Sequence, residues 1–145
     1  AWALRGYGFY SGGDRPRRTN IGGTLALRGY PLFGYIVGSK AFMFNQELRF
    51  PLLTHLTIGF PFGDLNLPAI QGALFTDIGK AEFETADDRA TLGSYGISFR
   101  LALAPLAVLR LDIGRRFSSD DFRGYGLDRD QRDGDFVSLF FGTNY

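Results

Sequence analysis

Arg28 is the one cation in a segment of glycines, small residues and apolar side chains that runs from Gly22 to Pro31. An unpaired guanidinium is costly to bury, so Arg28 needs a carboxylate partner if it leaves bulk water. Two later strand-like segments each contain one carboxylate, Glu47 in the first and Asp77 in the second. We therefore predict that these three side chains meet inside a β-barrel.

The elements that would position this cluster are β-strands, because six segments alternate in the two-residue period of a strand. They cover residues 2–10, 41–50, 70–79, 94–103, 109–117 and 136–145. No segment sustains a helical period, and glycine (20 residues) and aromatic residues (16%) are abundant. The sequence predicts an all-β, antiparallel fold. Pro51 is expected to end the second strand, with an irregular connection over residues 52–68 and a charged loop over residues 80–93.

The two faces of these segments differ in character. One is uniformly apolar, whereas the other carries small residues such as Gly96, Ser98 and Gly114 with isolated charges between them. Such a mixture fits the crowded lumen of a membrane barrel, whose apolar face points to lipid. Long polar connections alternate with a short apolar one at 104–106, as in outer-membrane barrels. We therefore predict a transmembrane β-barrel, and a soluble β-barrel binding module is an open alternative.

The number of strands limits how such a barrel can close. Six strands are fewer than the roughly eight with which membrane barrels begin, and open sheet edges are not tolerated in hydrocarbon. We expect this chain to be the carboxy-terminal part of a larger barrel, or to close with another chain.

Composition and charge argue against several other functions. Sixteen basic and fifteen acidic residues give a net charge of +1, which provides no strong field for nucleic acid. With no cysteine and a single histidine, the chain has no thiolate metal site and no Ser-His-Asp set. We therefore predict no catalytic residue, no metal and no cofactor, and we do not expect an enzyme.

Three motifs and the chain end resemble the carboxy-terminal barrel region of the outer membrane protein assembly factor family (BamA/TamA-type, bacterial surface antigen). The motifs are Gly22-Gly23-Thr24-Leu25-Ala26-Leu27-Arg28-Gly29-Tyr30, Asn45-Gln46-Glu47-Leu48-Arg49-Phe50-Pro51 and Phe75-Thr76-Asp77-Ile78-Gly79. The resemblance covers about residues 20–145. It implies roughly the last six strands of a sixteen-strand barrel. Residues 11–40 would be an external loop region that enters the lumen, and residues 136–145 the terminal strand.

The resemblance also implies roles for particular residues. A loop-to-lumen ion-pair motif would place Arg28 bidentately on Asp77, with Glu47 as second acceptor. The motif comprises Arg28, Gly29, Tyr30, Glu47, Asp77 and Gly79. A terminal insertion signal would comprise Val137, Leu139, Phe141 and Tyr145.

The function that the resemblance implies is insertion of proteins into the bacterial outer membrane, or their translocation through it. Expected partners are outer-membrane lipid, the remaining barrel strands or another chain, unfolded outer-membrane protein substrates, and periplasmic or lipoprotein subunits. The alternative is a structural or anchoring outer-membrane barrel subunit of a larger envelope complex, without insertase activity.

Overall fold

The computed structural model describes residues 1–31, 37–54, 56–67, 69–82, 89–104, 107–119, 131 and 133–143. Strands in these ranges are β1 (Trp2–Tyr10), β2 (Thr19–Asn20), β3 (Val37–Gly38), β4 (Lys40–Leu53), β5 (Leu56–Phe60), β6 (Gly63–Leu67), β7 (Ile70–Glu82), β8 (Arg89–Ala104), β9 (Ala107–Ser118) and β10 (Gly134–Thr143). In the described part of the chain, no helix is long and apolar enough to cross a membrane.

Six of these strands form one antiparallel sheet in the order β1-β4-β7-β8-β9-β10. They correspond to the six segments predicted from the two-residue period, so the all-β, antiparallel prediction is confirmed. The remaining strands form two small ribbons, β2 with β3 and β5 with β6. Strands β1 and β10 are the two edges of the main sheet, and no pairing among the described residues closes it into a barrel.

The predicted end of the second strand at Pro51 is wrong. Strand β4 continues to Leu53, and the register with β7 shifts between Pro51 and Leu53. A proline lacks the N–H that a regular ladder requires, but it is tolerated where a bulge interrupts the ladder. The sequence beyond it is not irregular either, because β5 and β6 form a hairpin in which Phe60 pairs with Gly63.

The charged loop predicted over residues 80–93 is also wrong at both ends. Strand β7 extends to Glu82 and β8 begins at Arg89, with Lys80 opposite Thr91 in the ladder. The side chain of Lys80 is exposed while Ala81 next to it is fully buried. The charged residues thus lie at outward positions of a strand that continues its two-residue alternation. In the sequence, the number of charges made this segment look like a loop.

One face of the main sheet is apolar and exposed, whereas the other face holds buried polar side chains. Large hydrophobic residues on one face are 44–70% exposed: Phe42, Leu48, Leu74, Ile97, Ile113, Val137, Leu139 and Phe141. The opposite face, which we call the polar face, carries Glu47, Asp77, Ser94, Ser98 and Asp112, all 0–7% exposed. This arrangement is the reverse of a soluble β-protein, where the apolar face is the one removed from water.

The polar face is covered by the segment Ile21–Pro31, which we call the tip segment. Its apolar side chains Ile21, Leu27 and Tyr30 pack in one buried cluster with Ala41, Ala81 and Leu92 of the sheet. This cluster lies between the tip segment and one end of strands β4, β7 and β8. The hydrophobic core described here is therefore formed by a connection packed against a sheet rather than by two layers of regular structure.

Candidate functional site

The tip segment folds back on itself before it meets the sheet. The amide of Gly23 donates to the carbonyl of Tyr30 at 3.1 Å, and the amide of Leu27 donates to the carbonyl of Ile21 at 3.1 Å. Gly23 and Gly29 have φ values of 106° and 84°, a region that side chains disfavour. These two glycines allow the compact path that presents Arg28 to the polar face.

Arg28 and Asp77 form a buried, bidentate ion pair. Arg28 Nε lies 2.7 Å from Asp77 Oδ2 and Nη2 lies 3.0 Å from Oδ1, which is the bidentate geometry expected from the sequence. The backbone amide of Arg28 also donates to Asp77 Oδ2, at 3.3 Å. Asp77 is fully buried and Arg28 is 4% exposed.

Phe75 and Asn45 add further contacts to this ion pair, Phe75 to Arg28 and Asn45 to Asp77. Its guanidinium carbon lies 3.9 Å from the centre of the Phe75 ring, a cation–π distance. Burial by itself lowers the pKa of Arg28, but the hydrogen bonds and charge of Asp77 outweigh that effect and raise it. Asn45 Nδ2 donates to Asp77 Oδ1 at 2.8 Å and to the carbonyl of Ala26 at 2.7 Å, so it joins the carboxylate to the tip segment.

Glu47 is shared among three arginines, and Arg28 is not the nearest of them. Arg28 Nη1 lies 3.6 Å from Glu47 Oε2, beyond hydrogen-bond distance. Arg100 Nη2 lies 2.6 Å from Glu47 Oε1 and Arg49 Nε lies 3.1 Å from the same atom. Sequence reasoning placed Glu47 beside Arg28 but missed Arg49 and Arg100. The two-residue period places Arg49 and Arg100 on strand faces that also carry acidic or small residues. This pattern could have identified both arginines from the sequence.

Backbone carbonyls of the tip segment accept four hydrogen bonds from side chains on three strands of the sheet, β1, β4 and β9. The donors are Arg110 to Thr24 at 2.5 Å, Arg5 to Leu25 at 2.7 Å, Asn45 to Ala26 at 2.7 Å and Arg116 to Gly29 at 3.2 Å. Tyr30 makes the reverse contact, because its hydroxyl lies 3.0 Å from the carbonyl of Gly93 and 2.9 Å from that of Phe117. Burial raises the pKa of the Tyr30 hydroxyl, which keeps it protonated and able to donate.

Two glycines predicted in the motif make room for close packing. A Cβ on Gly29 would lie 2.6 Å from the Phe136 ring of β10, and a Cβ on Gly79 would lie 3.0 Å from Ile21. Gly79 therefore gives the tip segment space above β7. Phe136 was not among the predicted site residues, although its ring is also 6.4 Å from that of Phe75, centre to centre.

A third buried carboxylate, Asp112 on β9, was missed by the sequence reasoning. Ser98 donates to Asp112 Oδ1 at 2.6 Å, and Arg110 Nε donates to Asp112 Oδ2 at 3.0 Å. Since Arg110 also reaches the carbonyl of Thr24, Asp112 orients a side chain that contacts the tip segment.

The terminal residues lie apart from the ion pair. Val137, Leu139 and Phe141 are 68–70% exposed on the apolar face of β10, opposite the polar face that holds Arg28. Tyr145 lies outside the described residues. The predicted ion-pair motif is thus brought together, whereas the predicted terminal set is a separate exposed row on an edge strand.

The described residues contain no group of three or more His, Cys, Asp or Glu side chains placed to hold a metal ion. The chemistry of the site is mutual neutralisation of buried charges, which holds the tip segment against strands distant in sequence. No protein-family model matches this chain, and neither a curated protein nor a solved structure is significantly similar to it.

Proposed function

We propose that this chain is the carboxy-terminal part of a bacterial outer-membrane β-barrel of the assembly-factor type, which inserts proteins into that membrane or translocates them through it. The observation that carries the proposal is the reversed sheet: an apolar face exposed across six strands and a buried polar face. The motif resemblance adds a tip segment fixed to that polar face by Arg28 and Asp77.

Lipid is the partner that the apolar face would take. Ile97 pairs with Leu74 on one side and with Ile113 on the other, so the exposed side chains are contiguous across neighbouring strands. Water-exposed apolar patches larger than a few hundred Å² are rare on soluble monomers. Acyl chains would solvate this face without the free-energy cost of exposing it to water. The buried carboxylates and arginines would then face a lumen.

The two edge strands of the sheet are the feature that supports a function in assembly. Strands β1 and β10 each have one side without a partner among the described residues. Hydrocarbon does not tolerate unpaired N–H and C=O groups, so further strands or another chain would complete the sheet. A weakly paired seam along β10 would then offer a template for an incoming strand of an unfolded substrate.

A matched pair of substitutions on β8 tests the membrane location. Ile97→Arg lies at the middle of the strand and should cost about 2–4 kcal/mol, whereas Leu103→Arg near its end should cost about 0–1 kcal/mol. Both side chains are similarly exposed, at 44% and 49%. The measurement is equilibrium folding into phospholipid vesicles in denaturant. Equal costs, with both variants monodisperse in detergent-free buffer, would instead support the soluble β-barrel.

Disulfide trapping tests the assembly function. The chain contains no cysteine, so a single introduced thiol is unique. Leu139→Cys on edge strand β10 should form disulfides with a cysteine in a nascent barrel strand, whereas Leu74→Cys on central strand β7 should not. If Leu139→Cys traps nothing and depletion leaves other barrels normally inserted, the structural or anchoring subunit becomes the better interpretation.

A further inference from the structure

A cavity of ≈ 620 Å³ lies between the tip segment and the polar face. Five arginines line it: Arg5, Arg28, Arg49, Arg100 and Arg110. They come from the tip segment and from four strands of the sheet, β1, β4, β8 and β9. Such convergence of guanidinium groups from separate elements is typical of sites that recognise oxyanions.

The carboxylates near the cavity do not balance these cations. Glu47 also lines the cavity, while Asp77 and Asp112 are buried beneath it and bind Arg28 and Arg110. Five guanidinium groups against three carboxylates leave an excess of two positive charges. The cavity therefore favours an anion, and the excess matches the charge of a phosphate dianion near neutral pH.

Two buried donors in this cluster lack an acceptor. Arg28 Nη1 and Arg100 Nε have no hydrogen-bond partner, although both atoms are inaccessible to solvent and both residues line the cavity. Arg28 is 4% exposed, so this is a nearly fully buried charged side chain with an unused N–H group. Buried polar groups are normally paired, so an acceptor that came within reach of these two donors would satisfy both of them.

We propose that the cavity binds a phosphate group, held between Arg28, Arg100 and the neighbouring arginines. The two oxygens of a carboxylate lie in one plane, whereas a tetrahedral phosphate presents oxygens in several directions and matches donors arriving from different strands. The cavity also has apolar walls, formed by Leu25, Val108 and Phe140. These walls leave room for the organic part of a phosphate ester. The inference goes beyond the proposed function and does not depend on a membrane location.

The test is calorimetric titration of the purified, folded protein in detergent micelles with inorganic phosphate, in a chloride buffer. We expect saturable binding of one phosphate, and weaker binding of acetate. Arg100→Gln should reduce phosphate affinity about tenfold or more, because it removes a charge-assisted donor. Arg115→Gln is the matched control, since Arg115 lies on β9 with a 64% exposed side chain and does not line the cavity.

Arg5→Gln keeps the test valid if Arg100→Gln does not fold. Arg5 is exposed and donates a hydrogen bond to the carbonyl of Leu25, so its loss should weaken phosphate binding without unfolding the sheet. Tighter binding of glycerol 3-phosphate than of inorganic phosphate would identify an organic phosphate as the ligand, and the reverse would identify free phosphate. No saturable binding, equal affinity for acetate, or unchanged affinity in both Arg100→Gln and Arg5→Gln would overturn the proposal.

Discussion

Arg100, on β8, donates a hydrogen bond to Glu47 Oε2 at 2.8 Å and lies 2.6 Å from Oε1, whereas Arg28 stays 3.6 Å from the same carboxylate. Arg28 instead directs its bidentate contact to Asp77. The two carboxylates therefore have different main partners. Asp77 fixes the tip segment, and Glu47 joins β4 to β8.

This division predicts unequal effects of neutralising the two carboxylates. Asp77→Asn should destabilise the folded chain by about 3 kcal/mol or more, because it leaves the buried Arg28 charge without its main partner. Glu47→Gln should cost about 1–2 kcal/mol, since its nearer partners, Arg49 and Arg100, are closer to solvent. The measurement is denaturant unfolding of each variant. A larger cost for Glu47→Gln would contradict the assignment of Asp77 as the main partner.

Two arginines in similar local sequences should respond differently to truncation. Arg28→Ala leaves Asp77 buried and unpaired and should cost about 3–5 kcal/mol. Arg5 also precedes a Gly-Tyr pair, but it is exposed and donates only to a carbonyl, so Arg5→Ala should cost less than about 1 kcal/mol. The readouts are complementation and the heat-dependent gel mobility of the folded barrel. Equal defects would count against a special role for Arg28.

Gly29 should tolerate no side chain. Alanine at φ 84° is strained, and its Cβ would lie 2.6 Å from the Phe136 ring, so Gly29→Ala should cost about 2–4 kcal/mol. Gly13 provides the matched control, because its φ is 104° but nothing lies within 4 Å of a Cβ there. Gly13→Ala should therefore show only the free-energy cost of placing alanine at a positive φ, about 1 kcal/mol. Similar unfolding midpoints for the two variants would show that contact with Phe136 is unimportant.

Tyr30 should make the folded chain sensitive to alkaline pH. Burial raises its pKa above the ordinary value of 10.0, so the folded state keeps the proton while the unfolded state loses it. The stabilisation is present below the unfolded pKa of about 10 and is lost as pH rises from there toward the folded pKa. Tyr30→Phe should remove this part of the pH dependence and cost about 1–2 kcal/mol at neutral pH by deleting the hydroxyl contacts. The measurement is the free energy of unfolding between pH 7 and about pH 11.

The exposed Tyr10 serves as the comparison for that experiment, because its side chain is 71% accessible. Tyr10→Phe should leave the alkaline loss of stability as it is in the parent chain. An alkaline profile unchanged by Tyr30→Phe would mean that another group governs the transition.

The sequence alone was sufficient to predict the six strands of the main sheet and the two faces of each, but not the β2–β3 and β5–β6 ribbons. A two-residue period requires only that successive side chains point to opposite sides, so the placement of Ile97 and Ser98 on opposite faces follows from local order. The need of Arg28 for a carboxylate follows from the cost of burying a charge, and only a few acidic residues lie at inward positions of the strands.

The tertiary structure decided which inward residues become neighbours. The strand face on which Glu47 lies allows pairing with Arg28, Arg49 or Arg100. Strand order and register place Arg100 nearest. Phe136 meets Gly29 across more than a hundred residues of chain, a contact that no local pattern encodes. Periodicity fixes the direction of a side chain, whereas its neighbours depend on how distant strands align and on where the tip segment returns to the sheet.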